Sequence, residues 1–366
     1  MASTPPSPAS PRSTGSVAPG EQRLLGAARA GDEGAFTQLV ERHRRELHVH
    51  CYRMLGSVQD AEDALQDAFL RAWRGLATFE ARSSVRAWLY RIATNASLDL
   101  IARRPRRMTP LEYGPESDAS QGPGAPLTES VWLEPLPDQP MLADDEARVS
   151  PTARFERRES VELAFIAALQ HLPARQRAAL ILHEVLGYSA KEVAASLETT
   201  VAATNSALQR ARKTLDERHP QASQQATLRA LGDDGLRRIV ESYADAWERG
   251  DVEGIAAMLT DDAVITMPPM ATWFRGAGFI TFLRDWAFNG RVYDALGRRQ
   301  VRVVPTIANG QPAFGTYSLD PDLGILKPTV LQVLTLRGDR ISEVTGFVSP
   351  EIFGSFGLPS ELPAPS

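Results

Sequence analysis

The sequence predicts a multidomain chain in which two all-α helical domains precede one α+β domain. Three observations carry this reading. At 366 residues the chain exceeds what one hydrophobic core usually organises. Apolar residues recur at helical spacing in two blocks, 24–104 and 151–217, separated by a proline-rich stretch. Beyond residue 233 the pattern changes, and helices give way to runs rich in Val, Thr and Ile.

The opening residues 1–22 are rich in Pro, Ser, Thr and Gly, have no apolar core of a signal peptide, and are expected to be a disordered tail. The first helical domain spans 23–107. In "DAEDALQDAFLRAW", Ala61, Leu65, Ala68, Phe69 and Ala72 share one helix face, and Asp63, Gln66, Asp67 and Arg71 take the other. Val85, Trp88, Leu89, Ile92, Ala96 and Leu100 continue the spacing behind Ser83 or Ser84 as N-cap. Trp88 and Tyr90 read as core. The block closes on Arg103, Arg104, Arg106 and Arg107.

Residues 108–150 read as an acidic, Pro-rich linker; from Met108 to Pro151 there are eight prolines and no sustained periodicity. Inside it, "VWLEPLPD" carries Trp132, Leu133 and Pro135, apolar residues that are costly to leave in water, so this piece is expected to dock.

The second helical domain, 151–220, runs through "SVELAFIAALQHLP", stopped by Pro173, and "ARQRAALILHEVLG", closed at Gly187. "YSAKEVAASL" follows, with Ser189 and Glu192 at capping-box spacing. After the turn "ETT", with Thr200 as N-cap, comes "VAATNSALQRARKTL". Here Val201, Thr204, Leu208, Ala211 and Leu215 form one stripe, and Ala203, Ser206, Arg210 and Lys213 lie opposite. Two short helices about a tight turn, the second basic outside, make a helix-turn-helix. A short linker, 221–232, leads to the α+β domain at 233–352, where "RGDR" is a hairpin turn, and 353–366 is read as a flexible tail.

A net charge of −5 alone argues against a nucleic-acid partner, but the charge is unevenly placed. Residues 24–107 hold 14 basic against 10 acidic residues, whereas 108–150 hold one against nine. Residues 151–220 return to 10 against 8, and 221–366 hold 13 against 17. Cys51 is the single cysteine, so no internal disulfide or CxxC zinc motif exists, and no metal or cofactor is expected. No run approaches the ~20 apolar residues of a membrane span. A cytoplasmic protein without membrane contact is the expectation.

The motifs resemble a known family. "DAEDALQDAFLRAWR" and "SSVRAWLYRIATN" resemble domain 2 of extracytoplasmic-function (ECF) sigma factors of the sigma-70 family. "LPARQRAALILHEVLGYSAKEVAASL" and "SALQRARKTL" resemble their domain 4. "ESYADAWERGDVEGIAAMLTDDAVITMPP" and "WFRGAGFITFL" resemble the cone-shaped SnoaL-like (NTF2-like) domain. The chain departs from the family at Asn205–Ser206–Ala207, where Lys-Ser-Arg is frequent, and at Glu198, where Gly is common. It lacks the Asp-Gly-Gly-Gly-Lys stretch of one group with this extension.

The resemblance implies a sigma factor that directs promoter-specific transcription, with core RNA polymerase and promoter DNA as partners. Asp63, Gln66, Asp67 and Arg71 would meet the β′ clamp helices, and the β subunit is a further implied contact. Arg82, Ser83, Ser84, Arg86, Arg91 and Asn95 would hold the proximal promoter element as single-stranded DNA, where cations track phosphates and a pocket takes a base. Arg103, Arg104, Arg106 and Arg107 would grip the phosphate backbone. Ala202, Ala203, Ser206, Gln209, Arg210 and Lys213 would face the major groove of the distal element.

The SnoaL-like fold hosts both enzymes and non-catalytic pockets. All six histidines precede residue 221, and Asp262, Asp285 and Asp320 lie near element ends, so no acid and base pair emerges and catalysis is not expected. Tyr243, Trp247, Met267, Met270, Trp273 and Phe274 are candidates to line an apolar pocket, with core as their alternative reading. The favoured function is a sigma factor regulated in cis by its extension, through docking of Trp132, Leu133 and Pro135. The alternatives are a sigma factor fused to a working enzyme, and a helix-turn-helix repressor or activator acting without polymerase. A small-molecule ligand and an anti-sigma protein are further candidate partners.

Overall fold

The computed structural model describes residues 19–79, 84–127, 132–138, 160–218, 223–288 and 300–364. The expected tail at 1–22 falls almost wholly outside the described residues, as do 139–159 of the linker. The helices in chain order are α1 (Pro19–Arg29), α2 (Glu33–Leu55), α3 (Val58–Gly75), α4 (Val85–Ile101), α5 (Pro110–Tyr113) and α6 (Leu163–Gln170). There follow α7 (Ala174–Leu180), α8 (Ala190–Ser196), α9 (Val201–Arg218), α10 (Gln224–Arg249), α11 (Val252–Met258) and α12 (Ala277–Phe282). The strands are β1 (Leu259–Thr266), β2 (Trp273–Arg275), β3 (Val301–Ala308), β4 (Gln311–Asp320), β5 (Ile325–Arg337), β6 (Arg340–Phe347) and β7 (Leu362–Pro363). The chain divides into two compact units.

The first unit gathers the described residues of 1–55, 59–104 and 172–213 and is all helical. Leu39, Leu47, Tyr52 and Met54 of α2 are buried with Ala61, Leu65, Ala68 and Ala72 of α3 and with Trp88, Leu89 and Tyr90 of α4. The alanine face of α3 keeps one side small enough for close helix packing. Arg177 of α7 is buried and donates to the carbonyls of Met54 and, at 3.2 Å, Leu172, satisfying carbonyls that helix ends leave open. Burial and the nearby Arg53 push the His50 pKa down to about 3, so the ring is neutral and bonds Thr94 at 2.9 Å.

Local signals act where the sequence places them. The Ser84 hydroxyl accepts from the Ala87 amide at 3.1 Å and caps α4. Ser189 and Glu192 close a reciprocal capping box on α8, and Thr200 accepts from the Ala203 amide at 3.1 Å. Glu198, in the turn between α8 and α9, has φ 51°, a left-handed conformation that favours glycine.

The second unit gathers the described residues of 56–58, 105–171 and 214–366. Its sheet runs β2-β1-β6-β5-β4-β3, with β1 parallel to β6 and the other pairs antiparallel. β3 and β4 are joined by Asn309 (φ 55°) and Gly310 (φ 70°), a two-residue Asn-Gly hairpin turn whose two positive φ values match strand twist. On the inner face Phe314, Leu334, Leu336, Ile341 and Val344 pack with Tyr243 and Trp247 of α10 and with Phe279 and Phe282 of α12.

Three boundary expectations are corrected. The 221–232 linker is helix from Gln224: Ser223 caps α10, and buried Gln224 exchanges two bonds with the Leu336 backbone, at 2.7 and 2.9 Å. The break is confined to Gly232, at φ 65° and ψ 175° inside α10. The 353–366 tail, as far as 364, is packed: Phe353, Phe356 and Leu358 bury against the outer face, and β7 pairs with β5. Gly315 makes room there, since a Cβ would lie 2.6 Å from Leu358 and 2.9 Å from Phe353. The linker residues 108–127 and 132–138 belong to the second unit, where their backbone finds the partners that a loose linker would find in water.

Candidate nucleic-acid interface and linker anchorage

Helix α9 presents two unlike faces. Thr204, Leu208 and Ala211 are buried, while Ala202, Ala203, Ser206, Gln209, Arg210 and Lys213 are exposed. Val201, expected on the buried stripe, is 44% exposed because it is the first helical residue, ahead of the packed turns. The outward face is small at its N-terminal end and polar beyond, which lets a helix enter a major groove and offer Gln and Arg to base edges.

On α3, Gln66 is exposed and donates to Glu62 at 3.3 Å. Arg71 pairs with Asp67 at 2.6 Å and with Asp99 at 2.7 Å, and Asp63 pairs with Arg104 at 3.0 Å. Leu70, one turn past Gln66, is 56% exposed on this polar face. Sequence reasoning passed over it, although an apolar residue on the polar side of an amphipathic helix is the signal of a docking face.

The candidate proximal-element residues are unequal. Arg82 and Ser83 lie outside the described residues. Ser84 is the helix cap, and Arg86 is paired with Glu46 at 2.8 Å and stacked on Tyr90 at 4.8 Å. Burial opposes the Arg86 charge, but Tyr90 and Glu46 more than compensate and hold its pKa above the ordinary value. Arg91 is exposed and Asn95 half-buried on α4. Trp88 is core and packs on Phe79 at 4.7 Å.

The four arginines of the cluster are unequal: Arg103, Arg104 and Arg106 are exposed and Arg107 is not. Arg104 pairs with Asp60 and Asp63, and Arg106 bonds His171 at 2.8 Å. Arg107 is buried, donates to the Trp132 carbonyl at 3.3 Å and lies 3.8 Å from Glu134. A guanidinium so enclosed cannot track phosphates, so Arg107 leaves that set; Arg103 remains exposed.

The linker is anchored by backbone chemistry. Asn309 accepts from the Leu136 amide at 2.7 Å and donates to the Val161 carbonyl at 2.6 Å through its side chain, while its amide donates to Leu136 at 2.9 Å. The Gly310 amide donates to the Asp138 carboxylate at 3.0 and 3.1 Å. Leu136, Asp138 and Val161 are therefore tied to one hairpin turn. Glu162 adds a carboxylate at the start of α10, accepting from the Gln224 and Gln225 amides at 3.0 and 2.8 Å.

Trp132, Leu133 and Pro135 are buried within the second unit. Trp132 bridges Met108 and meets the Tyr113 ring at 5.3 Å. Glu134 accepts from the Ser57 hydroxyl at 2.9 Å and the Val58 amide at 2.8 Å, and its amide donates to Gly56 at 3.0 Å. Gly56, at φ 69°, leaves no room for a Cβ, which would lie 2.6 Å from Leu133. Further back, the indoles of Trp273 and Trp286 each donate at 2.9 Å, to the carbonyls of Gly114 and Ala119.

The pocket candidates are corrected. Tyr243, Trp247, Met267, Met270 and Phe274 are packed in the inner-face core, and Tyr243 spends its hydroxyl on Gln332 at 2.7 Å. Trp273 is buried with its indole committed to Gly114. A cavity of about 420 Å³ lies instead on the outer face, lined by Thr266, Thr335, Glu343, Thr345 and Phe347 of the sheet. Met108–Glu112, Trp132, Leu133 and one face of α6 enclose it, with His171 and Glu217. Burial raises the Glu343 carboxyl pKa above its ordinary value, against a hydrogen bond from Thr345. The signal for this site was a lone acid, Glu343, in the strand sequence "ISEVTGF".

Comparison with known proteins follows these divisions. Residues 39–107 match Sigma-70 region 2, 162–215 match Sigma-70 region 4, and 240–344 match the SnoaL-like domain. The chain is 40% identical over 330 residues to the ECF RNA polymerase sigma factor SigG of Mycobacterium tuberculosis, covering 90% of this chain and 85% of that one. It is 35% identical over 195 residues to SigM of the same organism, covering 53% of this chain and 82% of SigM. The crystal structure of the M. tuberculosis extracytoplasmic function sigma factor SigJ shares the fold, with a TM-score of 0.54 over 88% of this chain and 99% of that one at 20% identity. These relatives are sigma factors, which are not enzymes, and this chain is not itself catalytic. With both sigma regions in order and that identity along nearly its whole length, the chain belongs to the ECF RNA polymerase sigma factors, extended by a SnoaL-like domain.

Proposed function

We propose that this sigma factor brings core RNA polymerase to its promoters and that its SnoaL-like extension sets that activity in cis by holding the linker. The outward face of α9, with Ala202, Ala203, Ser206, Gln209, Arg210 and Lys213, reads the distal element in the major groove. Arg91 and Asn95 on α4, with Arg82, Ser83 and Ser84 ahead of them, take the proximal element, and Arg103 holds phosphate. Arg86 positions Tyr90 and Glu46 instead of meeting DNA. On α3, Gln66, Asp67 and Leu70, with Asp63 and Arg71, form the face for the β′ clamp helices, and a β-subunit contact completes the holoenzyme. The work is cytoplasmic; among the described residues no helix is long and apolar enough to cross a membrane.

One observation carries the regulatory half: Leu136 and Asp138 on one side of the linker and Val161 on the other bond to the Asn309–Gly310 turn of the extension. A linker so tied has its ends fixed by the extension, and whatever loosens that turn changes the linker. An anti-sigma protein would act on the same chain from outside.

Reconstituted run-off transcription tests the reading, with core polymerase, the full chain and the promoter of its own gene. The full chain should yield transcript, and Gln209→Ala with Lys213→Ala should lower it by about tenfold or more at unchanged melting temperature, as expected for lost groove contacts. No transcript with polymerase, while duplex binding persists, would replace this reading with the repressor.

A further inference from the structure

The outer-face cavity has a polar floor: Thr266 lies opposite Thr345 across β1 and β6, and Glu343 opposite Thr335 across β6 and β5. Its walls are apolar, from Trp132, Leu163, Ala164, Ala167 and Phe347. The volume of about 420 Å³ lies within the roughly 300–1,000 Å³ of small-molecule sites.

Among the described residues the charges facing the cavity are of one sign: Glu112, Glu217 and Glu343 line it, and no described Lys or Arg does. His171 is held between two partners: its Nδ1 lies 2.8 Å from the Arg106 guanidinium, which only donates, and its Nε2 faces Glu112. Glu112 is already engaged, by His171 and by the Thr109 amide at 3.0 Å. Glu343 accepts from the Thr345 hydroxyl at 3.2 Å, and no cation pairs with it among the described residues.

A second observation is independent of charge. Thr266 is 1% exposed, lines the cavity, and its buried hydroxyl has no hydrogen-bond partner among the described residues. Such a group is destabilising, so an orphan in a cavity calls for something to fill it. An anion is opposed by three carboxylates. A neutral molecule could satisfy Thr266 but would leave the Glu343 charge without a counterion.

We propose that the outer-face cavity binds a small organic cation, an ammonium group on a short apolar body, with Glu343 taking the charge, the Thr266 and Thr345 hydroxyls completing its hydrogen bonds, and the apolar body lying against Trp132 and α6. This site is not the cone interior, which is filled by its own core. It also stands apart from promoter recognition, because binding can be measured on the sigma factor alone.

Isothermal titration calorimetry of the full chain tests it, with n-butylammonium, benzylammonium and spermidine as probes and benzyl alcohol and benzoate as neutral and anionic counterparts. At least one amine should bind saturably at one site, about tenfold or more tighter than benzyl alcohol, and benzoate should not bind. Glu343→Gln should weaken the amine by about tenfold at an unchanged fold. Ala164→Phe, which fills the cavity and leaves Glu343 in place, should abolish binding. Three results would each overturn the proposal: no heat from any amine, benzyl alcohol binding as tightly as the amine, or full amine affinity in Glu343→Gln.

Discussion

The two faces of the SnoaL-like sheet solve opposite problems. The inner face is sealed by its own helices: Tyr243, Trp247, Phe279 and Phe282 meet Phe314, Leu334 and Ile341, and its buried Gln332 accepts from the Tyr243 hydroxyl. The outer face is sealed by borrowed segments, namely the linker, α6 and the C-terminal residues Phe353 and Phe356, and it carries Thr266, Glu343 and Thr345 under a cavity. In a fold used for catalysis the inner face would hold the chemistry. Here it holds stability, and the outer face holds the rest of the chain.

That contrast can be broken at several points. Phe314→Ala, on the inner face at 0% exposed, should destabilise by about 3–5 kcal/mol in urea unfolding, because it opens a cavity in a closed core. A loss under 1 kcal/mol would mean that the cone is not packed as described. Asn309→Gly keeps the positive φ and removes the side-chain bonds to Leu136 and Val161. It should cost about 1–3 kcal/mol and speed hydrogen exchange at the Leu136 amide.

A smaller effect comes from Glu343. Its folded pKa is raised above the ordinary 4.5, so the folded state binds the proton more tightly than the unfolded chain. Stability from this group is therefore present at low pH and lost as pH climbs from the unfolded value through the folded one. Glu343→Gln should flatten that decline in melting curves taken across pH. Thr266→Val should be the mildest, within about 0.5 kcal/mol of neutral or stabilising, since it replaces an unpartnered hydroxyl by a methyl.

Much of this fold is legible because it is local. The Ser84 cap, the Ser189–Glu192 box and the stripe through Thr204, Leu208 and Ala211 need only spacing. What sequence could not reveal depends on which surface covers which. Arg107 reads as a phosphate contact until the Trp132 carbonyl is brought beside it. Alternation in β6 separates Val344 from Glu343, but it does not say which face the helices seal. Phe353 and Phe356 sit among Gly, Ser and Pro, so their burial shows only once β4 and β5 offer an apolar surface.

The central claim is that the extension governs transcription through the linker it holds. Run-off transcription with core polymerase and the full chain carrying Asn309→Gly tests it most directly, beside hydrogen exchange at Leu136 as proof that the anchor has loosened. Transcript output should change by about fivefold or more, a rise marking an inhibitory hold and a fall a required one. Unchanged output with the Leu136 amide exchanging faster would contradict it.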